Sequence, residues 1–84
     1  MDHNIISSDY SDLSVINDVI SLVDSQGKYL IEIKNIEKIA FKNARGSNPG
    51  YIKFDIAGSG TKLAYFNDKE SDQFELHPKS WITT

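Results

Sequence analysis

Hydrophobic and polar positions alternate most cleanly over Gly50-Tyr51-Ile52-Lys53-Phe54-Asp55-Ile56-Ala57. Ile52, Phe54 and Ile56 share one face, and Tyr51, Lys53 and Asp55 share the other, which is the period of a strand with one side in a core and one near water. Asn48-Pro49 precedes the run and Gly58-Ser59-Gly60 follows it, so turn chemistry brackets both ends. This strand organises the rest of the chain.

Upstream, the period changes. From Leu13 to Asp24, with 100° per residue, Leu13, Val15, Ile16, Val19, Ile20, Leu22 and Val23 fall in one half of a helical wheel. Ser14, Asn17, Asp18, Ser21 and Asp24 fall in the other half, and the split predicts an amphipathic helix. Ser8 or Ser11 would cap it, with Asp9 or Asp12 in the first turn and Gly27 at its end. The density of Val and Ile leaves open a strand from about Asp18 to Asp24, turning at Asp24-Ser25-Gln26-Gly27. The helix is the favoured reading, and residues 1–8 are expected to form a loose arm carrying a solvent-exposed His3.

After Gly27 the period is two. Tyr29, Ile31 and Ile33 alternate with Leu30, Glu32 and Lys34; Asn35 interrupts, and Ile36 to Lys42 forms a second strand with Ile39 and Phe41 on one side. A polar connection, 43–49, leads to the organising strand. Lys62 to Phe66 gives another strand, Asn67 to Asp72 a charged turn, and Gln73 to His77 a last strand with Phe74 and Leu76 inward. Pro78 ends the pairing, and Trp81-Ile82 anchors the C-terminus to the core or closes an edge. The expected fold is α+β, a single domain over 1–84. An N-terminal amphipathic helix is followed by about five short antiparallel strands forming a strongly curved sheet or a small partial barrel.

Composition narrows this picture. At 84 residues with 39% hydrophobic and 25% charged residues, the chain is that of a small folded domain and not of a disordered tail. It has no cysteine, which excludes disulfides, thiol catalysis and thiolate zinc sites and fits a reducing, cytoplasmic compartment. No apolar run approaches the length of a membrane span, and no basic start with an apolar run suggests a signal peptide. The net charge of −3 argues against direct nucleic-acid binding. The charge is unevenly spread. Residues 1–27 carry Asp2, Asp9, Asp12, Asp18 and Asp24 and no Lys or Arg, whereas 28–53 hold Lys28, Lys34, Lys38, Lys42, Arg45 and Lys53 against Glu32 and Glu37.

The segment Ile31-Glu32-Ile33-Lys34-Asn35-Ile36-Glu37-Lys38-Ile39-Ala40-Phe41-Lys42, its loop, and then Gly50-Tyr51-Ile52-Lys53-Phe54 and Gly58-Ser59-Gly60 resemble small bacterial and phage pleckstrin-homology-like domains. The resemblance covers residues 31–66. It implies a strongly bent antiparallel barrel closed by a C-terminal helix, acting as a binding module without catalysis. The pattern read above departs from that at both ends, because its helix is N-terminal and only three residues follow Trp81. No functional residue is carried over from the family.

Spacing tells against several chemistries. Gly58-Ser59-Gly60-Thr61-Lys62 lacks the spacing of a P-loop and a following helix, so it reads as a hairpin turn. Asp68, Glu70 and Asp72 alternate as in a calcium loop, but Gln73 replaces the needed glycine and Lys79 the bidentate glutamate. Glu75, His77 and Ser80 do not make a hydrolytic set, and Glu75 with His77 is too few ligands for a metal. No catalysis, cofactor or metal is therefore expected. Most aromatics match core periodicity, with one or two left as exposed anchors.

The expected function is a non-enzymatic protein-interaction module. Its rival is a compact acidic inhibitor, phage-encoded or an immunity protein, that covers a basic or nucleic-acid-binding site. Candidate partner-binding residues are accordingly of two signs: Asp9, Asp12, Asp68, Glu70 and Asp72, and Lys42, Arg45 and Lys53, to which Lys34 and Lys38 add charge. A basic surface of this kind could also take an anionic lipid such as a phosphoinositide, and a free sheet edge could pair with a second copy to give a homo-oligomer.

Overall fold

A computed structural model describes residues 5–82. Among the described residues seven strands come first and one α-helix last: β1 (Ile5–Ser7), β2 (Ser11–Ile16), β3 (Val19–Asp24), β4 (Gly27–Glu32), β5 (Ile36–Lys42), β6 (Gly50–Ile56), β7 (Gly60–Phe66) and α1 (Ser71–Ile82). Short 3-10 turns at Ile33–Asn35 and Asp68–Glu70 precede β5 and α1. The strands form two antiparallel sheets, β1-β2-β3-β4 and β5-β6-β7, which are not joined into a closed barrel.

The N-terminal helix expected over 13–24 is not there. Those residues form the β2–β3 hairpin, in register from Ser11↔Asp24 to Ile16↔Val19. The physical reason lies at its tip. Asn17 and Asp18 have φ of 52° and 64°, the left-handed pair that a type I′ turn demands, and Asn and Asp tolerate it better than other side chains. Around that tip, Val15, Ile16, Val19, Ile20 and Val23 are β-branched and suit the pleat. The apolar half-wheel was a coincidence of a hairpin with apolar residues on both faces. Leu13, Ile20 and Leu22 are buried, whereas Ile16 and Val23 stand outside at 70% and 39% exposure.

The turn at Asp24-Ser25-Gln26-Gly27 is present, with the Gln26 N–H donating to Asp24 Oδ1 at 2.8 Å and Gly27 at φ 139°. Residues 1–4, including His3, lie outside the described residues, but Ile5–Ser7 of the expected arm are a paired edge strand whose Ile6 is buried. Ser8 and Ser11 cap no helix. They turn β1 into β2, with the Ser8 N–H donating to the Ser11 carbonyl at 2.8 Å.

At the other end, the expected strand Gln73–His77 is helix, and Pro78 lies inside it. Phe74 is buried as expected, but Leu76 is 64% exposed, because two residues apart on a helix is nearly opposite faces. Ser71, Phe74 and Pro78 form the buried stripe, and Trp81 and Ile82 extend it against the core. The 67–72 segment that reads as a charged turn is the start of this helix. The Glu70 carboxylate accepts from the Asn67 N–H at 2.9 Å, and the Glu70 N–H donates to the Asn67 carbonyl at 3.0 Å.

The core lies between the sheets. Ile6, Leu13, Leu22, Ile20 and Ile31 from the first sheet meet Ile52, Phe54, Ala64 and Phe66 from the second, with Phe74 of α1 against them. The rings of Phe41, Phe66 and Phe74 stack in series at 5.5 and 4.8 Å, which ties β5, β7 and α1 together. One corner between the sheets is fixed by hydroxyls: Ser8 Oγ and Ser11 Oγ both donate to the Tyr65 carbonyl, at 2.7 and 3.0 Å. Among the described residues no helix is long and apolar enough to cross a membrane.

Candidate functional site

The second sheet has an inner face that fills the core and an outer face that meets water, and the candidate site is the outer face. Strand register sets it out in three rows. Lys42, Tyr51 and Tyr65 lie side by side, then Ala40, Lys53 and Leu63, then Lys38, Asp55 and Thr61. The alternation in β6 that places Ile52, Phe54 and Ile56 inside necessarily places Tyr51, Lys53 and Asp55 outside.

Gly50 sets the start of that alternation. A Cβ there would collide with the Lys42 carbonyl oxygen and would sit 2.5 Å from the Ala44 nitrogen and 2.6 Å from Phe66 Cε1. Only glycine lets β6 begin this close to the end of β5, and Tyr51 is thereby brought opposite Lys42. Tyr51 and Tyr65 then meet edge to face with centroids 6.1 Å apart, and Lys42 Nζ lies 6.0 Å from the centre of the Tyr51 ring.

Charge on this face is predominantly positive, with Asp55 opposite Lys38 as its carboxylate. Lys38, Lys42 and Lys53 project from it, and Arg45 stands beyond Lys42 where the Arg45↔Asn48 bridge tightens the loop between β5 and β6. Among the described residues no carboxylate lies within ion-pairing distance of these four cations. Asp55 is the acidic member of the rows, and its Oδ1 accepts from Thr61 Oγ1 at 2.9 Å. Beside the tyrosines, Lys42, Arg45, Asn48 and Pro49 line a shallow depression of about 600 Å³. Lysine heads on flexible stems around two tyrosine rings suit an extended acidic segment, which the ammonium groups attract and the rings hold in place.

The acidic candidates are placed differently. Asp9 Oδ2 accepts from Asn67 Nδ2 at 2.6 Å and lies 3.9 Å from Lys69 Nζ. Glu70 is 9% exposed and holds the Asn67 N–H, with Lys69 Nζ at 3.8 Å from its other oxygen. Asp9 therefore ties the β1–β2 turn to the start of α1, and Glu70 closes that start on itself. Asp68 and Asp72 are exposed on the same stretch, and Asp12 faces outward from β2 between Ser7 and Val23. Asp9, Asp68, Glu70 and Asp72 thus gather where the β1–β2 turn meets the start of α1, with Asp9 and Glu70 engaged there within the chain.

Other expected placements change too. Lys34, counted with the basic candidates, is not on this face: it lies in the 3-10 turn before β5, 3.8 Å from Glu32 Oε1. Glu75 and His77 no longer share a strand face, since both are in α1, where Glu75 pairs with Lys79 at 3.8 Å and Ser80 Oγ donates to the His77 carbonyl at 2.8 Å. Gly58-Ser59-Gly60 is the turn between β6 and β7. Among the described residues no three His, Asp or Glu side chains are grouped as metal ligands would be. Tyr51 and Tyr65 are the members of the site that the sequence alone did not assign to it, and Tyr65 is the one whose place depends on the strand register. Its signal was the alternation Leu63/Tyr65 against Ala64/Phe66, which needed the pairing partner Tyr51 to give it meaning.

The chain matches no protein-family model, no curated protein and no solved structure.

Proposed function

We propose that this chain is a non-enzymatic protein-interaction module of pleckstrin-homology-like type. It takes an acidic segment of a partner protein on the outer face of β5-β6-β7. The observation that carries the reading is the register that sets Lys42 and Lys53 beside Tyr51 and Tyr65, with Lys38 a row further along the same face and no carboxylate among the described residues pairing with those lysines. Support for the family type comes from the helix after the last strand, which removes both departures noted in the sequence, while the two sheets are not joined into the barrel that the resemblance implies. The reading belongs to a reducing, cytoplasmic setting, in keeping with the absence of cysteine. The acidic-inhibitor alternative has less to draw on, because Asp9 and Glu70 are engaged inside the chain.

The test is an affinity capture with tagged protein from host lysate at low and moderate salt, repeated with Lys42→Glu and Lys53→Glu. One dominant acidic partner, weakened by salt and lost in both variants, is the expected result. A partner retained by both variants but lost on reversing Asp68 and Asp72 would support the inhibitor reading instead. Co-sedimentation with phosphoinositide vesicles that depends on Lys42 and Lys53, without a protein partner, would replace the protein by a lipid.

A further inference from the structure

Four strands lie at the edges of the two sheets, and three of them are blunted. β1 is short, with α1 packed beside it. The Tyr65 carbonyl of β7 is taken by Ser8 and Ser11. β5 carries a bulge between Ile36 and Lys38. Bulges, short strands and covered edges are the usual ways of preventing a sheet from pairing with another chain. β4 has none of these: its register against β3 runs unbroken from Asp24↔Gly27 to Val19↔Glu32, and it contains no proline.

The parity of the hairpin says which backbone groups are open. The β3–β4 turn closes at Asp24↔Gly27, so the hydrogen-bonded pairs are that one, Leu22↔Tyr29 and Ile20↔Ile31. Lys28, Leu30 and Glu32 therefore direct their N–H and C=O groups away from β3, toward the free edge. A groove of about 430 Å³ runs along this edge, with Ile56, Ser59 and Lys62 on its far side. In the middle stands Leu30, 68% exposed.

We propose that β4 is a homodimer edge, pairing antiparallel with β4 of a second copy about a two-fold axis at Leu30. The order Lys28-x-Leu30-x-Glu32 is complementary to itself in this register and in no neighbouring one. Leu30 meets Leu30, and each Lys28 meets the second copy's Glu32, so the charges that protect an edge from other chains become two ion pairs here. Slipping one strand by two residues sets Leu30 opposite Lys28 or Glu32 and loses the leucine contact and both ion pairs, and slipping by four sets Lys28 opposite Lys28 or Glu32 opposite Glu32, where like charges directly opposite are unfavourable. All three residues present their backbone groups, giving about six hydrogen bonds between the copies. The two four-stranded sheets then become one continuous sheet. Glu32 is available for the exchange, since its contacts within the chain are weak ones at the surface, Lys34 Nζ at 3.8 Å and Asn35 Nδ2 at 3.4 Å. The lysine–tyrosine face of the second sheet takes no part.

Sedimentation equilibrium of the full chain, over micromolar to sub-millimolar concentration, tests this. The expected result is a monomer–dimer equilibrium that stops at the dimer. Lys28→Glu or Glu32→Lys alone turns both ion pairs into like-charge pairs and should weaken dimerisation by about tenfold or more. The double variant Lys28→Glu with Glu32→Lys should restore it. Leu30→Pro removes an N–H that faces the free edge but no bond of the β3–β4 ladder, so it should give a folded monomer, checked by circular dichroism. A monomer at every concentration, growth beyond the dimer, single reversals without effect, or failure of the double variant to recover would each overturn the proposal.

Discussion

Gly50 and Phe66 occupy the same few ångströms, and each depends on the other. The Phe66 ring lies where a Gly50 side chain would be, and the Lys42 carbonyl and Ala44 nitrogen close the remaining space. Two of the three obstacles are backbone, which cannot swing aside as a flexible side chain can. Gly50→Ala should therefore destabilise the protein by about 2–4 kcal/mol through overpacking, although its φ is unremarkable. A urea titration that gives an unchanged midpoint would show that β5 and β6 can separate at no cost. Phe66 is fully buried between Phe41 and Phe74, so Phe66→Ala leaves a hole at the meeting point of β5, β7 and α1. A loss of about 3–5 kcal/mol is expected in the same titration, more than for truncation of the exposed Leu76.

Among the elements, the β2–β3 hairpin offers the sharpest test, because two residues decide whether it turns. Asn17 and Asp18 both hold positive φ, and the Asp18 carbonyl also accepts from the Ile33 N–H at 2.9 Å. Asp18→Gly keeps that carbonyl and relieves the left-handed position, so thermal unfolding should move to higher temperature, with a gain of about 0.5–1 kcal/mol. Asn17→Val puts a β-branched side chain into the same region and should cost about 1–2 kcal/mol. The same two residues explain what could be read from the sequence. Strands whose apolar residues all face the core, such as β6 with Ile52, Phe54 and Ile56, announce themselves by alternation. The β2–β3 hairpin does not, since Ile16 and Val23 face outward and fill the gaps in the period. In α1, the spacing of Phe74, Pro78, Trp81 and Ile82 is helical, and Asn67-x-x-Glu70 is a capping signature, but Pro78 read as a strand breaker hid both. The lysines of the candidate site were legible as charges, and the outward position of Tyr51 was legible because it alternates with core residues, although no role in a site followed from that. Tyr65 became part of the site only once the β6–β7 register put it beside Tyr51.

Taken whole, the molecule is two sheets that share one core, are fixed at one corner by hydroxyls, and need a third body to cover what they leave open. The corner is local: two serine hydroxyls on one carbonyl of β7, with Asp9 reaching Asn67 alongside. Those bonds fix an angle but exclude little water, and the Phe41 and Phe66 rings remain to be covered. The stripe of α1 covers them, with Phe74 against Phe66 and Trp81 and Ile82 packed on the core. A domain of this size buries a modest fraction of its surface, so losing one whole face of its core leaves too little to offset chain entropy. A chain ending at Glu70 keeps every strand and both sheet ladders, yet it should lose cooperative unfolding, bind a hydrophobic dye and show weak near-ultraviolet dichroism. Adding the separate peptide of residues 71–84 in excess should restore part of the cooperative transition, because its binding to the folded sheets alone draws the equilibrium toward them. If the shortened chain melts as sharply as the full one, the sheets hold their own core and α1 is an appendage. The outer face of β5-β6-β7 is built on strands held from behind by that helix, so loss of α1 should weaken partner binding along with stability, whereas Lys53→Glu should weaken binding alone.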